Sequence, residues 1–219
     1  MSPSKETVTW SLNLTAESTK DIWNEHYTRV RSTLLYPDEN LVRILAKAGK
    51  SGKALDFGAG SGRHTALLKQ FGFETFACDY TENSLDKIRA AAPDAKVEKV
   101  SDPPYPYGTE QFDVIVSWGV LHYNSTENSK KIIKEYLRML KPGGLLAGTV
   151  RSDRDSFLEV RDNTAETADL KGAFVKLYTQ EEVTELLSDF KNLEMGYMER
   201  SPVGDVSRRI CHWIFKAEK

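Results

Sequence analysis

Short apolar runs alternate along the chain with segments in which apolar residues recur every three or four positions. The short runs predict five β-strands, and the segments between them predict helices. The predicted strands are Lys53–Phe57, Glu74–Cys78, Lys96–Val100, Phe112–Trp118 and Leu145–Val150. The predicted helices lie around residues 41–48, 67–71, 85–92 and 132–140. This alternation predicts an α/β fold with a parallel sheet between helices.

A further helix is predicted ahead of the sheet. Apolar and aromatic residues after Ser18 are spaced as on one helical face. They are Ile22, Trp23, His26, Tyr27 and Val30. We therefore expect an N-terminal cap or lid over residues 1–37 and a single compact domain over residues 38–219.

The last third of the chain ends in a predicted helix and hairpin. Residues 179–182 read TQEE, a capping box that opens a helix. Two strand-like runs follow, at Leu193–Glu199 and Ser207–Phe215, and the Pro and Gly between them predict a closing hairpin.

Composition narrows the class of protein without choosing a function. The chain has 219 residues, a formal charge of −2 and 2 Cys. Cys78 and Cys211 are too far apart in sequence for a C-x-x-C pair, so we expect no metal site and a reducing, cytoplasmic location. The balance of charges argues against bulk electrostatic capture of nucleic acid or membrane. No apolar run approaches the length of a membrane span, and we expect no signal peptide.

The most informative stretch is a strand that runs into three alternate glycines. Residues 54–64 read ALDFGAGSGRH, so Gly58, Gly60 and Gly62 stand at a turn into a helix. Glycines at such a turn let a ligand approach the backbone closely. Asp79 follows the next strand, where a carboxylate can accept hydrogen bonds from both hydroxyls of a ribose. The combination predicts a site for a nucleotide-like ligand.

The spacing of the glycines separates two classes of ligand. The dinucleotide fingerprint is G-x-G-x-x-G, whereas this loop reads G-x-G-x-G and has Arg63 at the fingerprint's last glycine. Residues 55–62 resemble instead the first motif of the class I S-adenosylmethionine (SAM) dependent methyltransferases. Residues 112–123 resemble that family's fourth strand and the turn after it, and residues 140–146 resemble the entry to its fifth strand. The match in order and spacing covers about residues 38–150.

The resemblance implies a fold, a cofactor and its binding residues. The family has a Rossmann-like three-layer sandwich with a seven-stranded, mostly parallel sheet and an antiparallel C-terminal strand. The residues implied to bind SAM are Asp56, Gly58, Ala59, Gly60, Gly62, Asp79, Tyr80, Asp102, Ser117 and Trp118. Asp56 would assist at the ammonium end, Asp79 at the ribose hydroxyls, and Tyr80 and Asp102 at the adenine. The alternative for Asp102 is a carboxylate that starts a turn.

The candidate catalytic residue is His122. It follows the fourth strand, at the sheet edge where ligands lie, and a hydroxyl acceptor usually needs a base. The alternative is that His122 is not a catalytic base, because related methyltransferases with unrelated acceptors often carry a Leu-His pair at this position. His64 is expected to touch the cofactor or cap its turn, and His212 is expected to be structural.

Specificity for the acceptor is expected from the cap, the turn after the fourth strand and residues 151–178. Trp23 and Tyr27 are candidate substrate contacts, although such a cluster is also typical of core packing. Alternating charges after Arg151 predict a solvated helix; the alternative is that Arg151 faces an anionic or polar acceptor, such as a carboxylate or sugar phosphate. An aromatic cage that also used Trp10 and Trp118 would instead suggest an amine acceptor.

The leading hypothesis is a SAM-dependent methyltransferase that acts on an oxygen or nitrogen of a small polar metabolite. We expect a monomer or homodimer without membrane or nucleic-acid partners. The alternatives are an RNA or protein methyltransferase and a SAM-binding protein without catalysis. An NAD-dependent oxidoreductase is a further alternative, disfavoured by Arg63 in the glycine loop.

Overall fold

The computed structural model describes residues 16–29, 33–166 and 170–219, and these ranges contain six helices and nine strands. The helices are α1 (Ala16–His26), α2 (Glu39–Ala48), α3 (Arg63–Gln70), α4 (Glu82–Ala91), α5 (Thr126–Met139) and α6 (Gln180–Leu186). The strands are β1 (Lys53–Phe57), β2 (Glu74–Asp79), β3 (Lys96–Lys99), β4 (Phe112–Trp118), β5 (Leu140–Arg151), β6 (Val160–Arg161), β7 (Thr164–Ala165), β8 (Lys191–Arg200) and β9 (Ile210–Glu218). Val30, which the sequence analysis placed in the first helix, and Trp10 lie outside the described residues.

Seven of these strands form one sheet in the order β3-β2-β1-β4-β5-β9-β8. The pairs from β3 to β5 are parallel, and β9 is antiparallel to both β5 and β8. The predicted α/β fold, with a mostly parallel seven-stranded sheet and an antiparallel C-terminal strand, is therefore confirmed. β6 and β7 form a separate two-stranded hairpin.

Two apolar layers cover the faces of the sheet. Successive side chains of a strand point to opposite faces. Leu55 and Ile115 accordingly belong to the core beneath α5 and α6. Ala54 and Val114 belong to the core beneath α2 and α3. This alternation produces the predicted three layers.

Local hydrogen bonds define the starts of two helices. The Asp38 side chain accepts a hydrogen bond from the Asn40 N–H at the start of α2, which ends at Gly49 with a φ of 58°. The predicted capping box is present in α6: Thr179 accepts from the backbone of Glu182, and the Glu182 side chain accepts from the backbone of Thr179. These bonds satisfy backbone donors that a helix start leaves free.

The solvated helix predicted after Arg151 is wrong. Residues 151–166 contain a turn and the β6-β7 hairpin instead. The cause is Asp155, whose Oδ1 accepts hydrogen bonds from the N–H groups of Phe157 and Leu158 at 3.1 and 2.9 Å. These bonds use backbone donors in a turn that a helix would have directed to carbonyl groups.

Three predicted strand starts also differ from the structure, that of β8 by two residues and those of β9 and β5 by more. β9 begins at Ile210 and not at Ser207, because the Asp205 carboxylate accepts hydrogen bonds from Ser207 in a turn. β5 begins at Leu140, since Leu140 pairs with Phe112 before a bulge restores the register further along.

Among the described helices, none is long and apolar enough to cross a membrane.

Candidate functional site

The glycine loop lies at the carboxyl edge of the sheet, between β1 and α3. Gly58, Gly60 and Gly62 have φ angles of 69°, 56° and 79°, in the left-handed region that favours glycine. The N–H groups of Gly58 and Ala59 both donate to the carbonyl oxygen of Cys78, at 2.9 and 3.0 Å. These two bonds hold the loop against the end of β2.

The three glycines do not share one environment. A Cβ at Gly60 would collide with the hydroxyl of Tyr27, and a Cβ at Gly58 would press on Val120. A Cβ at Gly62 would instead lie 2.8 Å from the Cα of Ile88, on α4. Gly58 and Gly60 therefore face the space above the loop, whereas Gly62 lets two helices approach each other.

Asp79 ties the loop to the strand below it. Its Oδ2 accepts a hydrogen bond from the Gly60 N–H at 3.0 Å, and its Oδ1 accepts from the Thr81 N–H at 3.1 Å. The side chain is buried, and burial raises the pKa of this carboxyl although the hydrogen bonds oppose the rise. Asp79 thus holds Gly60 in place, and its expected contact with a ribose stays a prediction.

Asp56 is a second buried carboxyl at the end of β1. Its Oδ2 accepts a hydrogen bond from the Thr65 hydroxyl at 2.7 Å. Burial raises its pKa from 3.8 to about 7, although the Thr65 bond and the charge of Arg63 oppose the rise. Two carboxyl groups with raised pKa values suit a cationic ligand, whose charge would offset the cost of ionising them.

A cavity of about 120 Å³ lies over the loop. Its lining combines the loop with residues of α1, α3 and β4. The lining residues are His26, Tyr27, Leu34, Gly58, Ala59, Gly60, Ser61, Arg63, His64 and Trp118. The glycine loop and the nearby buried carboxyls suit a ligand with a positively charged part, and the resemblance implies such a ligand, SAM.

Aromatic side chains bring α1 onto this cavity. The Trp23 ring lies 6.0 Å from the Tyr27 ring and 4.5 Å from the Tyr123 ring, measured between centroids. Trp23 also packs with buried residues of the 158–175 segment, including Leu158 and Val175. Burial raises the pKa of Tyr27 far above its ordinary value, so its hydroxyl stays protonated over Gly60. Tyr27 lines the cavity, whereas Trp23 is buried in the neighbouring apolar cluster and does not line it.

The other predicted cofactor residues occupy different positions. Trp118 lines the cavity, and Tyr80 is half-buried and packs with the aromatic cluster around Trp23. Ser117 is fully buried on the face of the sheet opposite to Trp118, where its hydroxyl lies 2.9 Å from the Tyr136 hydroxyl. Asp102 is exposed in the loop after β3. Contact of Ser117 or Asp102 with the cofactor stays a prediction.

Arg63 and His64 begin α3 and both line the cavity. The sequence analysis used Arg63 only as an argument against a dinucleotide, so its place in the lining was missed; its position directly after the loop was the available signal. The His64 Nε2 accepts a hydrogen bond from the Asp38 N–H at 3.3 Å. Burial lowers the pKa of His64 to about 3, so the ring is neutral and links α3 to the start of α2.

His122 and Arg151 lie together beyond the cavity, at the ends of β4 and β5. His122 is buried in a 3-10 turn after β4, and burial together with Arg151 lowers its pKa well below the ordinary value. Arg151 is also mostly buried and donates to Asp155 at 2.9 Å. The structure therefore brings the predicted base and the predicted acceptor contact to one place.

Among the described residues, no cluster of three or more His, Cys, Asp or Glu could hold a metal ion.

The site has counterparts in known proteins. Residues 55–148 match the family model described as a methyltransferase domain. An uncharacterized methyltransferase of Mycobacterium bovis is 31% identical over 123 residues, which cover 56% of this chain and 48% of that protein. The human probable tRNA methyltransferase 9B is 27% identical over 177 residues, which cover 78% of this chain and 37% of that protein. The chain thus spans about a third to a half of the length of these relatives.

Solved structures share the fold. The N-methyltransferase NodS from Bradyrhizobium japonicum, in complex with S-adenosyl-L-homocysteine, has a TM-score of 0.67 and 15% identity, with 92% of this chain and 98% of that chain covered. At that identity the likeness concerns the fold alone. Residues 55–148 of this chain thus match a methyltransferase domain, and the strand order and the glycine loop bonded to Asp79 agree with the class I SAM-dependent methyltransferases that the sequence resembles.

Proposed function

We propose that this chain transfers the methyl group of SAM to an oxygen or nitrogen of a small polar metabolite. The observation that carries the proposal is a layer of packed side chains that covers the site near His122, where the methyl acceptor is expected. Trp23 of α1 packs on Tyr123, whose ring lies next to His122, and it shares an apolar cluster with Leu158 and Val175. A site that is covered by side chains favours an acceptor small enough to be enclosed. Enclosure aligns the acceptor and keeps out water.

The residues of the chain have separate roles in this proposal. SAM supplies an electrophilic methyl group on a sulfonium. The glycine loop and Asp79 hold the cofactor, and Asp56 balances its positive charge. His122 takes the proton of a hydroxyl acceptor, since its imidazole is neutral at pH 7 and its Nδ1 is buried without a partner among the described residues.

Incubation of the chain with methyl-labelled SAM tests this function. We expect label to enter small molecules of a metabolite extract. Transfer to none of the metabolite fractions, with SAM still bound in titration calorimetry, would favour the alternative of a SAM-binding protein without catalysis. Binding of NADH in place of SAM would favour an oxidoreductase.

Transfer to RNA is the second candidate function. It is favoured by the 27% identity to probable tRNA methyltransferase 9B over most of this chain. Unfractionated tRNA incubated beside the metabolite extract separates the two. Label in tRNA alone would contradict the small-metabolite proposal and support this second function.

The raised pKa of Asp56 leads to a prediction about pH. A bound cation favours the ionised carboxylate, so cofactor binding should release a proton when the free protein holds Asp56 protonated. Because that pKa is about 7, the affinity for S-adenosylhomocysteine (SAH) should fall by up to about tenfold for each pH unit below 7. Titration calorimetry between pH 5.5 and 8.5 measures the change.

Asp56→Asn is the matched control for this prediction. Asn keeps an acceptor for the Thr65 hydroxyl but cannot ionise. We expect its SAH affinity to be lower at pH 8 and nearly flat with pH. The same steep pH dependence in Asp56→Asn would show that another group titrates.

A further inference from the structure

Three buried nitrogen atoms without partners lie close together where β4, β5 and β9 meet. They are Nδ1 of His122, Nε of Arg151 and Nδ1 of His212, and none has a hydrogen-bond partner among the residues that the structure describes. Arg151 and His212 are direct neighbours in the pairing of β5 with β9. The ring of His122 lies 6.0 Å from that of His212, between centroids. Buried polar atoms are nearly always satisfied by protein, water or ligand, so this cluster can bind a polar group.

The charge of the cluster favours an anion. Arg151 donates to Asp155 Oδ2, but each Asp155 oxygen accepts two hydrogen bonds, three of the four from backbone N–H groups. The carboxylate is thus shared widely, and Arg151 keeps positive potential toward the two imidazoles. Burial, with Arg151 and Arg200, lowers the pKa of His212 to about 3. Both histidines are neutral at pH 7, so the formal positive charge within the cluster is that of Arg151. This charge would repel a bound cation.

The cluster also lies beside the cofactor loop. Val120 packs against Gly58, since a Cβ at Gly58 would lie 2.5 Å from Cγ2 of Val120. His122 follows Val120 by two residues, and its Cε1 lies 3.8 Å from the Cβ position of Gly119. A group bound at the cluster therefore sits on the acceptor side of the glycine loop, next to the proposed base.

We propose that Arg151 and His212 anchor the methyl acceptor through a carboxylate, beside His122. The proposal rests on the proposed function and names the class of acceptor for that site, a small carboxylic acid. It gives His212 a binding role where the sequence analysis expected a structural one. A monoanion suits the cluster better than a phosphate dianion, because the single charge of Arg151 is already shared with Asp155.

Acetate and its neutral isostere acetamide test the anchor directly. The full chain is saturated with SAH, ¹⁵N-labelled at histidine, and titrated at constant ionic strength while imidazole resonances are recorded by NMR. His122→Gln and His212→Gln assign the two signals. Acetate should shift both signals saturably, and acetamide should not, since only the anion is attracted by Arg151 and raises the imidazole pKa values.

Arg151→Lys sharpens the same titration. Lysine keeps a positive charge beside Asp155, so the fold is retained, but it lacks the Nε–H that faces the cluster. We expect acetate to bind at least tenfold more weakly to Arg151→Lys and unchanged to Arg161→Lys, an exposed arginine in the β6-β7 hairpin. Equal shifts by acetate and acetamide, or wild-type binding by Arg151→Lys, would overturn the anchor and leave a water-filled cluster.

An activity experiment separates this proposal from the proposed function. A metabolite extract is divided on an anion exchanger before incubation with labelled SAM. We expect the acceptor in the retained fraction, with KM raised at least tenfold by Arg151→Lys and His212→Gln and kcat changed less. Transfer only to unretained acceptors would overturn the anchor while the proposed function stands. If no fraction accepts label, the proposed function fails and the acetate titration alone decides on the anchor.

Discussion

Asp79→Ala should lower the affinity for SAH by about 100-fold or more. The carboxylate is expected to accept hydrogen bonds from two ribose hydroxyls, and each bond to a charged group contributes about 1.5 kcal/mol or more. The change also removes the acceptor of the Gly60 N–H, so the loop loses one of the bonds that hold it at the end of β2. Titration calorimetry at pH 8 measures the loss.

Two variants separate the roles of Asp79. Asp79→Asn keeps an oxygen for the Gly60 N–H but offers a weaker, uncharged acceptor to hydroxyls, so we expect an intermediate loss. Asp86→Ala removes an exposed carboxylate on α4 that pairs with Arg89, and it should bind SAH as the wild type does. Near-normal affinity in Asp79→Ala would contradict the placement of the ribose on this residue.

The main features of the cofactor site could be predicted from sequence because they are local. A strand that ends in alternate glycines must turn sharply, and a carboxylate at the end of the neighbouring parallel strand comes to the same sheet edge. Gly60 and Asp79 meet for this reason, with 3.0 Å between the Gly60 nitrogen and Asp79 Oδ2. The parallel sheet between helices follows from the alternation of strands and helices, and it too was predicted.

The acceptor side could not be predicted in the same way, because long-range contacts decide it. Asp155 folds the segment after β5 by accepting from the Cys211 N–H at 2.8 Å, 56 residues away in sequence. No local sequence pattern indicates that bond, so the sequence analysis wrongly interpreted the alternating charges as a helix. His212 has the alternation of an ordinary strand residue, and only its pairing with Arg151 reveals a polar neighbourhood.

Gly62→Ala should lower the free energy of unfolding by about 2–5 kcal/mol. The left-handed conformation, with φ of 79°, costs a residue with a Cβ about 1–2 kcal/mol. The new Cβ would also lie 2.8 Å from the Cα of Ile88 and 3.0 Å from the Cβ of Ala91, and overpacking of this kind costs about 1–3 kcal/mol. Backbone atoms of α4 cannot yield as a side chain can, so α3 must shift.

Gly72→Ala is the matched control for the contact between α3 and α4. Its φ of 83° gives the same conformational cost, and nothing lies within 4 Å of its Cβ position. Urea unfolding should therefore show a loss of only about 1–2 kcal/mol in Gly72→Ala, and the difference between the two variants measures the helix contact. Because α3 begins at the end of the loop, Gly62→Ala should also weaken SAH binding, whereas Gly72→Ala should not. Equal destabilisation with unchanged SAH binding in both variants would mean that α4 yields to the methyl group and that the loop is not held by this contact.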